Sequence, residues 1–220
     1  MALPECVEVT TGENPVGSVI WLHGLGADGH DFEPIVPELR LPVDLPLRFV
    51  FPHAPVRPVT INGGMAMRAW YDIVSLDAEG RADADGVRES TVLLEALVER
   101  EVERGIPEDK IVIAGFSMGG AIVVNKTLTT SRKLAGLMAL STYLPSPEEV
   151  DRSTSNRDLP VFMGHGTFDP MVLHAWGKAT AERLTDTGFS VEWHEYPMAH
   201  AVCPEEIRDI SEWLLKVYGG

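Results

Sequence analysis

The chain has 220 residues, 45% of them apolar and 23% charged, a composition that suits a folded globular protein and excludes a disordered one. Its 18 basic and 33 acidic residues leave a net charge of −15 with no basic cluster to offset it. That field repels phosphate backbones and anionic lipid, which excludes nucleic acid as a main partner.

A chain of this length buries roughly 70% of its unfolded surface, enough for a core without a metal or a disulfide. No linker-like stretch divides it, so residues 1–220 are expected to form one domain. The first residues, MALPECVEVTTGE, hold neither a basic segment nor an apolar run and do not read as a signal peptide. No apolar run approaches the ~18 residues that cross a bilayer. Cys6 and Cys203 lie far apart with no CxxC pair, as expected in a reducing compartment. The expectation is a cytoplasmic protein without stable membrane insertion, a monomer or a homodimer.

Short β-branched apolar runs at 19–22, 48–51, 111–116, 137–140, 160–163 and 191–196 read as strands buried on both faces, and 7–10 as an added edge strand. The Pro- and Gly-rich segment 52–64, continuing to 85, reads as a long irregular loop. Met65, Met67, Trp70 and Tyr71 crowd it. An apolar loop could line an acyl pocket, which makes Met65, Met67 and Trp70 candidate substrate contacts; the same residues could equally tack the loop onto the core. The clearest helix covers 87–104, with Val87, Thr91, Leu94, Val98 and Val102 on one stripe and Glu95, Glu99 and Glu103 turned away. Gly105 and Pro107 end it, and further helices follow at 118–128, 172–185 and 204–217. Strands alternating with helices imply right-handed crossovers and a mostly parallel central sheet with helices on both faces.

Two glycine motifs follow strands. Gly24-Leu25-Gly26-Ala27-Asp28-Gly29 satisfies GxGxxG, the dinucleotide-binding pattern. That function needs a helix opening at the glycines, so that its N–H groups meet a pyrophosphate. Here Asp28 and Asp31 would add carboxylates, Pro34 and Pro37 spoil any long helix, and the next strand closes Phe51-Pro52-His53 without the ribose-binding acid. The loop has another purpose. The second motif, Gly115-Phe116-Ser117-Met118-Gly119, is a GxSxG between a buried strand and a helix. A serine on so sharp a turn sits in strained backbone, and side chains at the flanking glycines would collide across it.

A serine nucleophile needs a base within reach and an acid to orient that base, each following it on loops beyond later strands. Asp169 lies after the strand at 160–163 and could otherwise be a helix N-cap; Asp158 lies before that strand, at the wrong end of the sheet. His200 alone occupies the terminal strand-to-helix loop: His165 ends a strand beside the acid, His174 is on the next helix and His194 is inside a strand. An oxyanion hole needs two convergent backbone N–H groups, for which Met118 and Leu25 are placed. Cys203 reads as a small apolar residue at a helix start rather than a nucleophile. No HExxH or Cys/His cluster suggests a metal, and no cofactor is expected.

The elements LHGLGADGHDF, FPHAP, PVTINGG, WYDI, IVIAGFSMGGA, HGTFDPMV and EYPMAHAVCPEEI run in order through nearly the whole chain. Together they resemble the phospholipase/carboxylesterase family, which includes bacterial carboxylesterases and acyl-protein thioesterases. The resemblance implies a compact α/β-hydrolase fold without a large lid domain, with nucleophile Ser117, acid Asp169, base His200 and oxyanion donors Leu25 and Met118. Two positions depart from the family pattern: Met118 is often glutamine, and Ala199 commonly glycine. The expected activity is a cofactor-free serine carboxylesterase acting on short-to-medium acyl esters of small or lipid-like substrates. Thioesters or lysophospholipids could be cleaved by the same triad, and a non-catalytic hydrolase-fold binding protein is the alternative of another class. The short 141–159 connection leaves no room for a helical lid.

Overall fold

A computed structural model describes residues 3–75, 82–145 and 158–219. The strands are β1 (Cys6–Thr10), β2 (Gly17–Leu22), β3 (Leu47–Pro52), β4 (Val56–Val59), β5 (Met65–Arg68), β6 (Ile111–Phe116), β7 (Gly136–Leu140), β8 (Pro160–Gly166) and β9 (Ser190–Tyr196). The helices are α1 (Ile35–Glu38), α2 (Ala84–Glu103), α3 (Met118–Thr129), α4 (His174–Asp186) and α5 (Pro204–Gly219).

Seven strands form one sheet in the order β1-β3-β2-β6-β7-β8-β9. β1 is antiparallel to β3 at the edge, and every other pairing in the sheet is parallel. Successive side chains of a strand point to opposite faces, and both faces here are apolar. Ile20, Leu22, Ile111 and Ile113 face a core shared with Leu94, Leu97, Ile122 and Leu184 of α2, α3 and α4. Val19, Trp21, Val112 and Ala114 face the other core, with Val36 of α1 and Ile210, Trp213 and Leu214 of α5. The near-continuous apolar strands are the sequence trace of this two-sided burial. The mostly parallel sheet with helices on both faces is the α/β architecture that the sequence predicts, and no large lid domain occurs among the described residues. Of the 141–159 connection, residues 146–157 lie outside the described residues.

The described parts of the 52–85 segment, 52–75 and 82–85, are more ordered than their composition suggests. β4 and β5 pair antiparallel as a hairpin, closed by a 3₁₀ turn at Thr60–Asn62 and by Gly63 and Gly64 at φ of 66° and 78°. Four-residue strands interrupted by Pro58 leave no alternating pattern to read, so the segment scans as loop. On α2, Asp83 caps the first turn by accepting from the Asp85 and Gly86 amides. Its glutamates are not simply solvated: Glu95 pairs with Lys126 and Arg132, and Glu99 with Arg132. Glu101 is fully buried, held by Arg48 at 2.8 Å, Arg104 at 2.9 Å and the Ser18 hydroxyl at 3.0 Å.

Candidate active site

Every predicted catalytic side chain lies beyond the C-terminal end of a parallel strand: Ser117 after β6, Asp169 after β8, His200 after β9. This is the edge at which open α/β sheets place ligands. Ser117 has φ 53° and ψ −117°, a backbone region that a residue with a side chain adopts only under constraint. The constraint is close packing between β2, β6 and α3. A Cβ on Gly119 would drive into the Leu22 carbonyl oxygen, and one on Gly115 would lie 2.5 Å from the Gly119 carbonyl carbon. The Ser117 amide donates to Leu140 O at 2.9 Å and the Thr142 hydroxyl donates to Ser117 O at 2.7 Å, which fixes the turn from the neighbouring strand.

The structure brings three predicted side chains into one line. The Ser117 hydroxyl and His200 Nε2 are 2.9 Å apart, and His200 Nδ1 is 2.7 Å from Asp169 Oδ2. A carboxylate only accepts, so Nδ1 carries the proton and Nε2 is left to accept from serine. Asp169 Oδ1 accepts from the Met171 amide at 2.8 Å and the Val172 amide at 3.0 Å. Burial acts to raise the Asp169 pKa, but the His200 hydrogen bond and these two amides outweigh it and hold the carboxyl below its ordinary value. Asp169 therefore does cap a turn, and it meets His200 with its other oxygen. Phe116 packs against the His200 ring at a centroid distance of 4.7 Å.

Beside Ser117 is a cavity of about 210 Å³, lined in part by Gly24, Leu25, Tyr71, Met118, Tyr143 and His200. The Leu25 and Met118 amides make no hydrogen bond to another described residue. The loop that carries Leu25 is held from below by His23, which is buried: its Nδ1 donates to Gly24 O at 2.7 Å and its Nε2 accepts from the Ala54 amide at 3.1 Å. Burial lowers the His23 pKa, in keeping with this neutral form. The GxGxxG loop opens only the four-residue α1, not the long helix that a pyrophosphate site requires.

The structure does not bring Met65, Met67 or Trp70 into the cavity. Met65 projects to solvent from the hairpin, 65% exposed, and Met67 lies on the hairpin's inner side near Gly26 and Asn62. Trp70 is fully buried, its indole donating to His23 O at 2.9 Å and its amide to Met118 Sδ at 3.3 Å. Their place in the wall is taken by Tyr71, Ile73, Tyr143, Met171 and Val172. The Tyr71 and Tyr143 hydroxyls lie 3.2 Å apart across 72 residues of sequence, a pairing with no local signal to reveal it. The departure at Met118 has a structural role, since its sulfur accepts from Trp70 and anchors the segment that supplies Tyr71. Among the described residues no cluster of His, Cys, Asp or Glu could hold a metal ion, and no helix is long and apolar enough to cross a membrane.

Comparison with known proteins gives the same picture. The sequence model of the phospholipase/carboxylesterase family matches residues 4–218. An acyl-protein thioesterase 1 of Cryptococcus neoformans is 38% identical over 229 aligned positions, covering 96% of both chains. One of Neurospora crassa is 39% identical, covering 90% of this chain and 85% of that one. The crystal structure of acyl-protein thioesterase 2 from Zea mays superposes with a TM-score of 0.82 at 26% identity, covering 97% of this chain and 99% of that one. The chain is thus a serine hydrolase that belongs to the phospholipase/carboxylesterase family.

Proposed function

We propose that the protein is a carboxylic ester hydrolase that works through an acyl-enzyme on Ser117. The observation that carries this reading is the unbroken line from Asp169 through His200 to Ser117, beside the Leu25 and Met118 amides that make no hydrogen bond among the described residues. His200 Nε2 takes the hydroxyl proton as Oγ attacks the acyl carbonyl. The negative charge then developing on the carbonyl oxygen is met by the Leu25 and Met118 N–H groups. Asp169, ionised and fixed by two amides, holds the imidazole and stabilises its charged form. His200 returns the proton to the leaving group, and water releases the acid by the same steps in reverse order.

The cavity is smaller than the roughly 300–1,000 Å³ of drug-sized sites, which supports a short-to-medium acyl group, with a longer chain emerging past the exposed Met171. Its wall carries no lysine or arginine among the described residues, and one carboxylate, Asp31. Burial and the neighbouring Asp28 charge raise the Asp31 pKa, the response of an anion without a partner. The site therefore suits neutral or cationic substrates better than anionic ones. A second reading, thioester hydrolysis on the same triad, is favoured by the relatives named acyl-protein thioesterase. Matched p-nitrophenyl esters and acyl thioesters of graded chain length test both readings. Ester turnover that climbs with length and then levels off supports the first, a kcat/KM at least tenfold higher on thioesters selects the second, and no turnover of either refutes the proposal.

A further inference from the structure

His165 is the penultimate residue of β8 and is fully buried, four residues before Asp169. Its Nε2 lies 2.9 Å from Val172 O. A carbonyl only accepts, so the ring proton sits on Nε2 and Nδ1 is bare. Nδ1 is buried and has no hydrogen-bond partner among the described residues. It packs against α4 where Gly177 leaves room, because a Cβ there would strike the imidazole. Burial lowers the pKa of this histidine, which agrees with a neutral ring. Asp169 Oδ2 is 3.6 Å from the same Nε2, beyond hydrogen-bond range once the proton is directed at Val172.

These contacts divide the surroundings of the catalytic acid. Oδ1 takes the Met171 and Val172 amides, and among the described residues Oδ2 is left to hydrogen-bond with His200. The Val172 residue whose amide grips Asp169 is the residue whose carbonyl His165 grips. We propose that His165 is a positioning residue: by pinning the Val172 carbonyl from β8 it holds the 169–172 turn in the shape that aims Asp169 Oδ2 at His200. The inference rests on the triad reading above. The histidine belongs to the HGTFDPMV element, but the line of catalysis does not use it.

His165→Phe keeps a planar ring and removes the donor, leaving the Val172 carbonyl unpaired; His165→Gln keeps a donor at similar reach. Active sites are titrated with a fluorophosphonate, so that rates refer to folded, competent enzyme. His165→Phe is expected to lower kcat about tenfold, the scale of one buried hydrogen bond, with KM within about twofold. His165→Gln should recover most of that loss. In an Asp169→Asn background His165→Phe should cost no further activity, because the histidine acts only through Asp169. Wild-type kcat in His165→Phe, equal impairment of the Phe and Gln variants, or an undiminished tenfold loss in the Asp169→Asn background would each overturn the proposal. Should Asp169→Asn alone leave kcat unchanged, the triad reading falls first, and the two failures are thereby told apart.

Discussion

Glu206→Gln is expected to abolish a large part of the pH dependence of folding stability. Glu206 is the third residue of α5, fully buried, and its carboxyl lies over Gly164 of β8, where a Cβ would strike Oε1. Among the described residues no side-chain donor pairs with either oxygen. Burial, and then the charge of Asp209, push its pKa from the ordinary 4.5 up to about 8, and the Cys203 amide offsets only part of that. The folded chain thus keeps a proton that the unfolded chain releases. Stability from this group is complete below about pH 4.5 and is lost as pH rises to about 8. A gap of about 3.5 pH units at about 1.4 kcal/mol each corresponds to roughly 5 kcal/mol, an upper figure comparable to the whole stability of a marginal domain. Urea unfolding of wild type and Glu206→Gln at pH values from about 5 to 8.5 measures it, the difference between the two proteins cancelling every other titration. The wild type should lose several kcal/mol relative to the variant across that range. Parallel stability curves would show that the carboxyl is ionised in the folded protein and that the reasoning from burial is wrong.

Other outcomes follow from the site. Gly119→Ala should lower kcat/KM by more than about 100-fold and destabilise the fold, because the new methyl group meets the Leu22 carbonyl under the strained serine; activity and melting temperature report it. Asp169→Asn should depress kcat by about 10⁴-fold in steady-state assays, as the equivalent change does in a serine protease triad. Asp31→Asn should remove a preference, about threefold at low salt, for a choline ester over its uncharged 3,3-dimethylbutyl isostere, a comparison of kcat/KM that added salt should also erase.

What was legible in the sequence follows physical range. Ser117, Asp169 and His200 each sit in a strand-to-helix loop, and a buried parallel strand is a continuous apolar run, so their order along the chain already fixes their edge of the sheet. The glycines of the elbow are legible because the clash they avoid is local, as between Gly115 and Gly119. Long-range pairings leave no such trace. The Tyr71 and Tyr143 hydroxyls, Glu101 with Arg48, and the pocket wall itself depend on segments that meet only in the folded sheet. Trp70 misleads for a related reason: a large aromatic residue in an irregular segment looks like a ligand contact, yet its indole is spent inside, on His23 O. Met65 is apolar and faces water on a hairpin that composition alone does not reveal.

The central claim, that Ser117 is the nucleophile activated by His200, is tested most directly by mapping a covalent adduct. Wild-type protein treated with a fluorophosphonate should gain a single label on the peptide containing Gly115-Phe116-Ser117-Met118-Gly119, with loss of all esterase activity in step with labelling. Ser117→Ala should remain folded, take no label and show no turnover. An adduct on any other residue, or labelling and hydrolysis that persist in Ser117→Ala, would contradict the account.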